Sequence, residues 1–198
     1  MTTTFYLVRH AAHDDVGYFL TGRTEGVFLG PAGRAQASRL GERMRREEFR
    51  AILCSPRERT RETATAISVC SEVGPVQVDP DLDEIDFGAW SGKSFDELDQ
   101  DPAWRRWNAK RAVAATPGGE TMEQVRKRIC HCMDVLAQSH RGEAVVLVTH
   151  ADVIKSAVCH VLGLPADCCF RFEIDPASVT VIAAGDWGAK LIRLNEGA

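Results

Sequence analysis

Three apolar runs in this chain each give way to residues suited to anionic chemistry. Leu7-Val8 is followed by Arg9-His10, Ala51-Ile52-Leu53-Cys54 by Ser55 with Arg59 shortly after, and Val145-Val146-Leu147-Val148 by Thr149-His150. Two arginines and two histidines brought to one place would suit phosphoryl transfer. The transferred group spreads its charge over three oxygens, so catalysis rests on positioning and electrostatic stabilisation. Arginine grips two oxygens in a planar fork and keeps its charge. A neutral imidazole nitrogen can attack phosphorus and hold the group until water removes it, provided a hydrogen bond fixes the other ring nitrogen. A second, charged imidazole can face the equatorial oxygens. An acidic stretch adds Asp81, Asp83, Glu84 and Asp86. Any of these could protonate a leaving oxygen if burial or like-charged neighbours raised its pKa. Spacing does not choose among them, and the plain reading of the stretch is a solvated loop.

These groups need elements to position them. Residues 4–8 read as a strand, and residues 31–48 as a helix with Pro31 in its first turn and Ala37, Leu40 and Met44 on one face. Residues 51–54 read as a second strand. Ser55-Pro56-Arg57-Glu58 then has the form of a helix start, Ser55 as N-cap with Glu58 reaching back, for a helix ending near Ser71. Gly74-Pro75 precedes a short strand at 76–78, and 79–92 reads as a loop. Residues 94–115 hold one or two short helices, and Trp104 and Trp107 read first as packing residues of an amphipathic face. Pro117-Gly118-Gly119 breaks the chain. Met122, Val125, Ile129, Cys132 and Leu136 then step by threes and fours, the stripe of a buried helix. A strand at 144–149, a helix at 152–162 and a hairpin-like pair at 178–184 and 190–194 complete the chain. Alternating strands and helices give an α/β three-layer sandwich, a mostly parallel sheet with helices on both faces and an antiparallel edge strand. No linker or repeat divides residues 1–198, which are read as one domain. In such sheets ligands bind at the carboxyl ends of the strands, where the three polar segments fall.

Leu7-Val8-Arg9-His10, Gly22-Arg23, Gly33-Arg34-Ala35-Gln36-Ala37, the run from Ser55 through Arg59 to Thr63-Ala64, the segment Glu84 to Gly92, Pro117-Gly118-Gly119-Glu120-Thr121 and Val148-Thr149-His150 occur in this order. Together they resemble the phosphoglycerate mutase-like histidine phosphatase superfamily, branch 1, over nearly the whole chain. The resemblance implies His10 as phosphorylated nucleophile, Arg9, Arg59 and His150 as the phosphate pocket, and Glu84 as proton donor. It also marks departures. Ala11 and Ala12 stand where glycine and an acidic residue or glutamine are usual, and Asp14-Asp15-Val16-Gly17 lacks the expected asparagine. Thr21 or the Gly22 backbone is expected to substitute in holding phosphate. His13 is read as a surface-loop histidine, and Asp152 as a weaker rival to Glu84. The implied function is a phosphatase for a small phosphate monoester. Mutase activity through the same phosphohistidine, or a catalytically weak phospho-ligand module, are the alternatives. The short stretch from Glu84 to Pro117 favours hydrolysis over the mutase.

Composition agrees. The net charge of −4 does not mark a nucleic-acid binder, and no apolar run is long enough to span a bilayer. Seven cysteines without a secretion signal fit reduced thiols in the cytoplasm. Cys54 sits where a cysteine phosphatase would place its nucleophile, but position 60, where such a loop needs arginine, is Thr60. Cys130-His131-Cys132 would diverge on a helix, so no metal is expected there, and no cofactor is invoked. A homodimer is the expected assembly if the chain is not monomeric.

Overall fold

A computed structural model describes residues 1–197. Strand β1 (Thr2–Arg9) lies inside a six-stranded sheet of order β3-β2-β4-β1-β5-β6, with β2 at Ala51–Cys54, β3 at Gln77–Val78, β4 at Ala144–Thr149, β5 at Val179–Gly185 and β6 at Gly188–Glu196. Strands β1, β2, β3 and β4 are parallel, while β5 and β6 run antiparallel at one edge. This is the expected α/β architecture.

Side chains alternate across the buried strands. Phe5 and Leu7 join Leu53, Val145 and Leu147 in a core covered by α5 (Met122–Ser139) and α6 (Ala151–Val161). Tyr6 and Val8 join Ile52, Val146 and Val148 in a second core beneath α1 (Pro31–Met44) and α2 (Glu58–Ser71). A parallel strand covered on both faces must be apolar on both, as β1 and β4 are. Helix α5 buries the predicted stripe and opens with a capping box between Thr121 and Gln124. After the short helix α3 (Phe95–Asp99), helix α4 (Pro102–Ala109) places Trp104 and Trp107 in the core beside Phe87 and Trp90. The tryptophans are packing residues.

Two local expectations are corrected. Helix α1 stops at Met44, because the chain turns to bury Phe49 and to bring Glu47 under the Tyr6 hydroxyl, which donates to it at 2.7 Å. The capping box at Ser55 does not form. The Ser55 N–H is taken by the Val148 carbonyl at 3.0 Å, so Ser55 still belongs to the sheet ladder and Glu58 cannot use that N–H. Helix α2 begins at Glu58 without a side-chain cap, and the Glu58 carboxylate accepts from Gly26 N–H instead.

Candidate active site

Strand register brings the polar segments together. Arg9 pairs with Thr149 across β1 and β4, and Cys54 pairs with Val148 across β2 and β4. His10, Ser55 and His150, each one residue beyond its strand, therefore meet at one carboxyl edge. The His10 and His150 rings lie edge to face, with centroids 5.2 Å apart.

His10 is buried, and its Nδ1 is 2.8 Å from the Ala11 carbonyl. A carbonyl only accepts, so the ring proton sits on Nδ1 and Nε2 carries a lone pair. Burial, then Arg59 and Arg9, hold the His10 pKa well below the ordinary value of 6.5. The loop that shapes this bond is clamped from both sides. Ala11 N–H donates to Thr63 Oγ1 at 3.0 Å, and Ala12 N–H to Gln36 Oε1 at 2.9 Å. Gly33 lets α1 lie directly on the loop, because a Cβ there would collide with the Ala12 carbonyl.

Arg59 sits between the two histidines. Its Nε is 3.4 Å from His10 Nε2, and its Nη2 is 3.2 Å from His150 Nδ1 and 2.7 Å from the Gly22 carbonyl. Gly22 has a left-handed φ of +50° and little room for a side chain beside Ser91 and Phe87. Arg9 donates from Nη1 to the Ile174 carbonyl at 2.6 Å. Among the described residues, Arg9 Nε and Arg59 Nη1 are buried without a partner. Two unpaired cationic donors beside two imidazoles form an arrangement that an oxyanion would satisfy. Thr21 is half-buried next to Gly22 and its hydroxyl makes no protein hydrogen bond among the described residues.

His150 differs from the expectation of a charged ring. Arg59 can only donate, so His150 Nδ1 accepts and the proton rests on Nε2, 2.8 Å from Ser55 Oγ. Ser55 Oγ in turn donates to Asp83 Oδ1 at 3.3 Å. Burial and Arg59 push the His150 pKa well below 6.5. A bound dianion would act in the opposite sense.

Glu84 lies 3.7 Å from His150 Nδ1, with its side chain 13% exposed. Burial, then the charge of Asp152, raises its pKa from 4.5 to about 7. The acidic stretch is thus not a solvated loop. Leu82, Ile85, Phe87 and Trp90 are buried beneath it. Arg23 Nε donates to the Glu84 carbonyl at 2.7 Å, and Glu120 accepts from Arg23 at 2.8 Å and from Asp86 N–H at 3.0 Å. Gly119 packs against the Asp86 carbonyl so closely that a Cβ would collide with it. Asp152 is paired with Arg111, whose guanidinium lies over the Trp107 ring, which leaves Glu84 as the acid facing His150.

One further expectation changes here. His13 is not on the surface; only 7% of it is exposed, and its ring stacks beside His10. Cys54 is fully buried with its thiol pushed up to about 11, unsuited to nucleophilic attack. On α5, His131 is exposed and Cys132 is in the core, so Cys130, His131 and Cys132 do diverge. The roles that sequence reasoning missed are Ser55 as partner of His150, Asp83 as acceptor for Ser55 rather than candidate acid, and the clamps Thr63, Gln36, Arg23 and Glu120. All but Asp83 lie in the quoted motifs, but none has reactive chemistry to single it out.

The family model of the histidine phosphatase superfamily (branch 1) matches residues 5–197. The chain belongs to this superfamily. Phosphoserine phosphatase 1 of Hydrogenobacter thermophilus is 29% identical over 194 residues, covering 96% of this chain and 90% of that protein. The adenosylcobalamin/alpha-ribazole phosphatase of Escherichia coli is 26% identical, covering 88% of this chain and 90% of that protein. The solved structure of Bacillus stearothermophilus YhfR superposes with a TM-score of 0.91 at 30% identity, covering 99% of this chain and 98% of that one. As a histidine phosphatase with phosphatases among its relatives, the chain is a phosphoric monoester hydrolase. Among the described residues no helix is long and apolar enough to cross a membrane.

Proposed function

We propose that this histidine phosphatase hydrolyses a small phosphorylated metabolite through a phosphohistidine on His10. The observation that carries the reading is the Nδ1–H bond from His10 to the Ala11 carbonyl, which leaves Nε2 unprotonated beside Arg59. In the first step His10 Nε2 forms a bond to phosphorus as the bond to the ester oxygen breaks. Arg9, Arg59 and His150, the last protonated on Nδ1 once the dianion is bound, receive the charge on the non-bridging oxygens, and protonated Glu84 gives its proton to the departing oxygen. In the second step water attacks phosphorus, the Glu84 carboxylate takes its proton, and the P–N bond breaks to release phosphate and restore His10.

The relatives named for phosphoserine and alpha-ribazole phosphate support a small alkyl phosphate as substrate. An alkoxide is a poor leaving group, and a carboxyl with its pKa near 7 suits the need for a proton at neutral pH. The testing experiment is a screen of phosphorylated metabolites with wild type and His10→Ala. Wild type is expected to release phosphate from small alkyl esters and the variant to release none. Undiminished turnover by His10→Ala would refute the scheme.

A further inference from the structure

His13 lies three residues after the nucleophile, in the loop that holds it. Its ring stacks on His10 with centroids 5.7 Å apart and planes 29° off parallel. It is over nine-tenths buried, yet neither ring nitrogen meets a protein partner among the described residues, and Nδ1 is wholly enclosed. The turn that places it is closed by Val16 N–H on the His13 carbonyl at 3.3 Å. Its neighbours cannot serve an anion with their side chains. Ala11 and Ala12 have no polar group, and Asp14 and Asp15 are exposed carboxylates. A buried imidazole without a partner carries a desolvation cost that packing against another imidazole does not offset. A ligand oxygen would complete it.

We propose that His13 is a phosphate-binding residue of this site, donating a ring N–H to a non-bridging oxygen of the phosphoryl group that His10 receives. The proposal rests on the phosphohistidine reading above for the position of that group. It gives the otherwise bare loop after Arg9-His10 a donor of its own, alongside the unpaired Arg9 Nε and Arg59 Nη1.

The experiment is equilibrium binding of inorganic phosphate to the full chain by calorimetry, with ester KM and kcat measured in parallel. His13→Phe keeps a flat ring against His10 and removes the donor. His13→Ala serves as a second variant if the larger ring unsettles the loop, with melting curves to check the fold. Loss of a hydrogen bond to a charged group is expected to weaken phosphate binding about tenfold or more in either variant. Phosphate affinity within twofold of wild type in a folded variant would reduce His13 to packing. A raised ester KM with unchanged phosphate affinity would move its contact to the leaving group. Either result overturns the proposal. Failure to trap phosphate on His10 would sink the phosphohistidine reading while leaving the affinity comparison intact, because binding needs no chemistry.

Discussion

Arg59 contacts both histidines and the Gly22 carbonyl, so its removal should cost more than one anion contact. Arg59→Ala is expected to lower kcat/KM by more than about 10³-fold, beyond the 10²–10³ that loss of one donor to a developing oxyanion costs. Arg59→Lys should recover little, because a point charge cannot span the same three acceptors. Glu84 gives a pH signature. Its pKa is raised to about 7, so the acid form is lost as pH rises through that value, and kcat for alkyl phosphates should fall there. Glu84→Gln should remove this limb and lower kcat for an alkyl phosphate by about 10²–10⁴-fold, with a much smaller loss on p-nitrophenyl phosphate, whose leaving group needs no proton. An equal loss on both esters would deny Glu84 the role of acid.

The element that most constrains Glu84 is the loop beneath it, tied to the start of α5 by Glu120. Glu120 bonds Arg23, Arg128 and the Asp86 N–H, so Glu120→Ala leaves the Asp86 N–H unpaired and each arginine with only its backbone carbonyl, of Glu84 or Asp81, to donate to. A stability loss on the order of 2–4 kcal/mol is expected by chemical denaturation, with kcat falling more than KM rises as the acid drifts. The elements themselves were legible. Alternating strands and helices gave the parallel sheet, and the stripe on α5 named its buried face. The Ser55 cap misled because Ser55-Pro56-Arg57-Glu58 has the form of a helix start, while a backbone bond to Val148 from elsewhere in the chain decides its place. His13 was illegible for the same kind of reason. Nothing local distinguishes a loop histidine in water from one pressed on another ring. Choosing Glu84 among four acids needed the family resemblance, since only the folded loop shows Asp83 near Arg57 and Ser55, and Glu84 buried beside His150.

The buried site makes the stability of the whole fold depend on pH. His10, His13 and His150 have pKa values held below the ordinary 6.5, so the unfolded chain binds protons there that the folded one does not. Their contribution is complete above pH 6.5 and is lost as pH falls through and below that value. Glu84, raised from 4.5 to about 7, works in reverse, its contribution being full below 4.5 and lost as pH rises through about 7. Three groups oppose one, so the melting temperature is expected to fall between pH 6.5 and 5. His13→Phe, which removes one of the three, should flatten that slope. A melting temperature that rises on acidification would mean that these imidazoles are not buried as described.

On the proposed mechanism the phosphoryl group passes through His10. Wild type turned over with radiolabelled phosphate ester and quenched in alkali is predicted to carry label on His10, stable in base and lost in acid. Label on a cysteine or serine, or full turnover with no label on His10 under any quench, would contradict it.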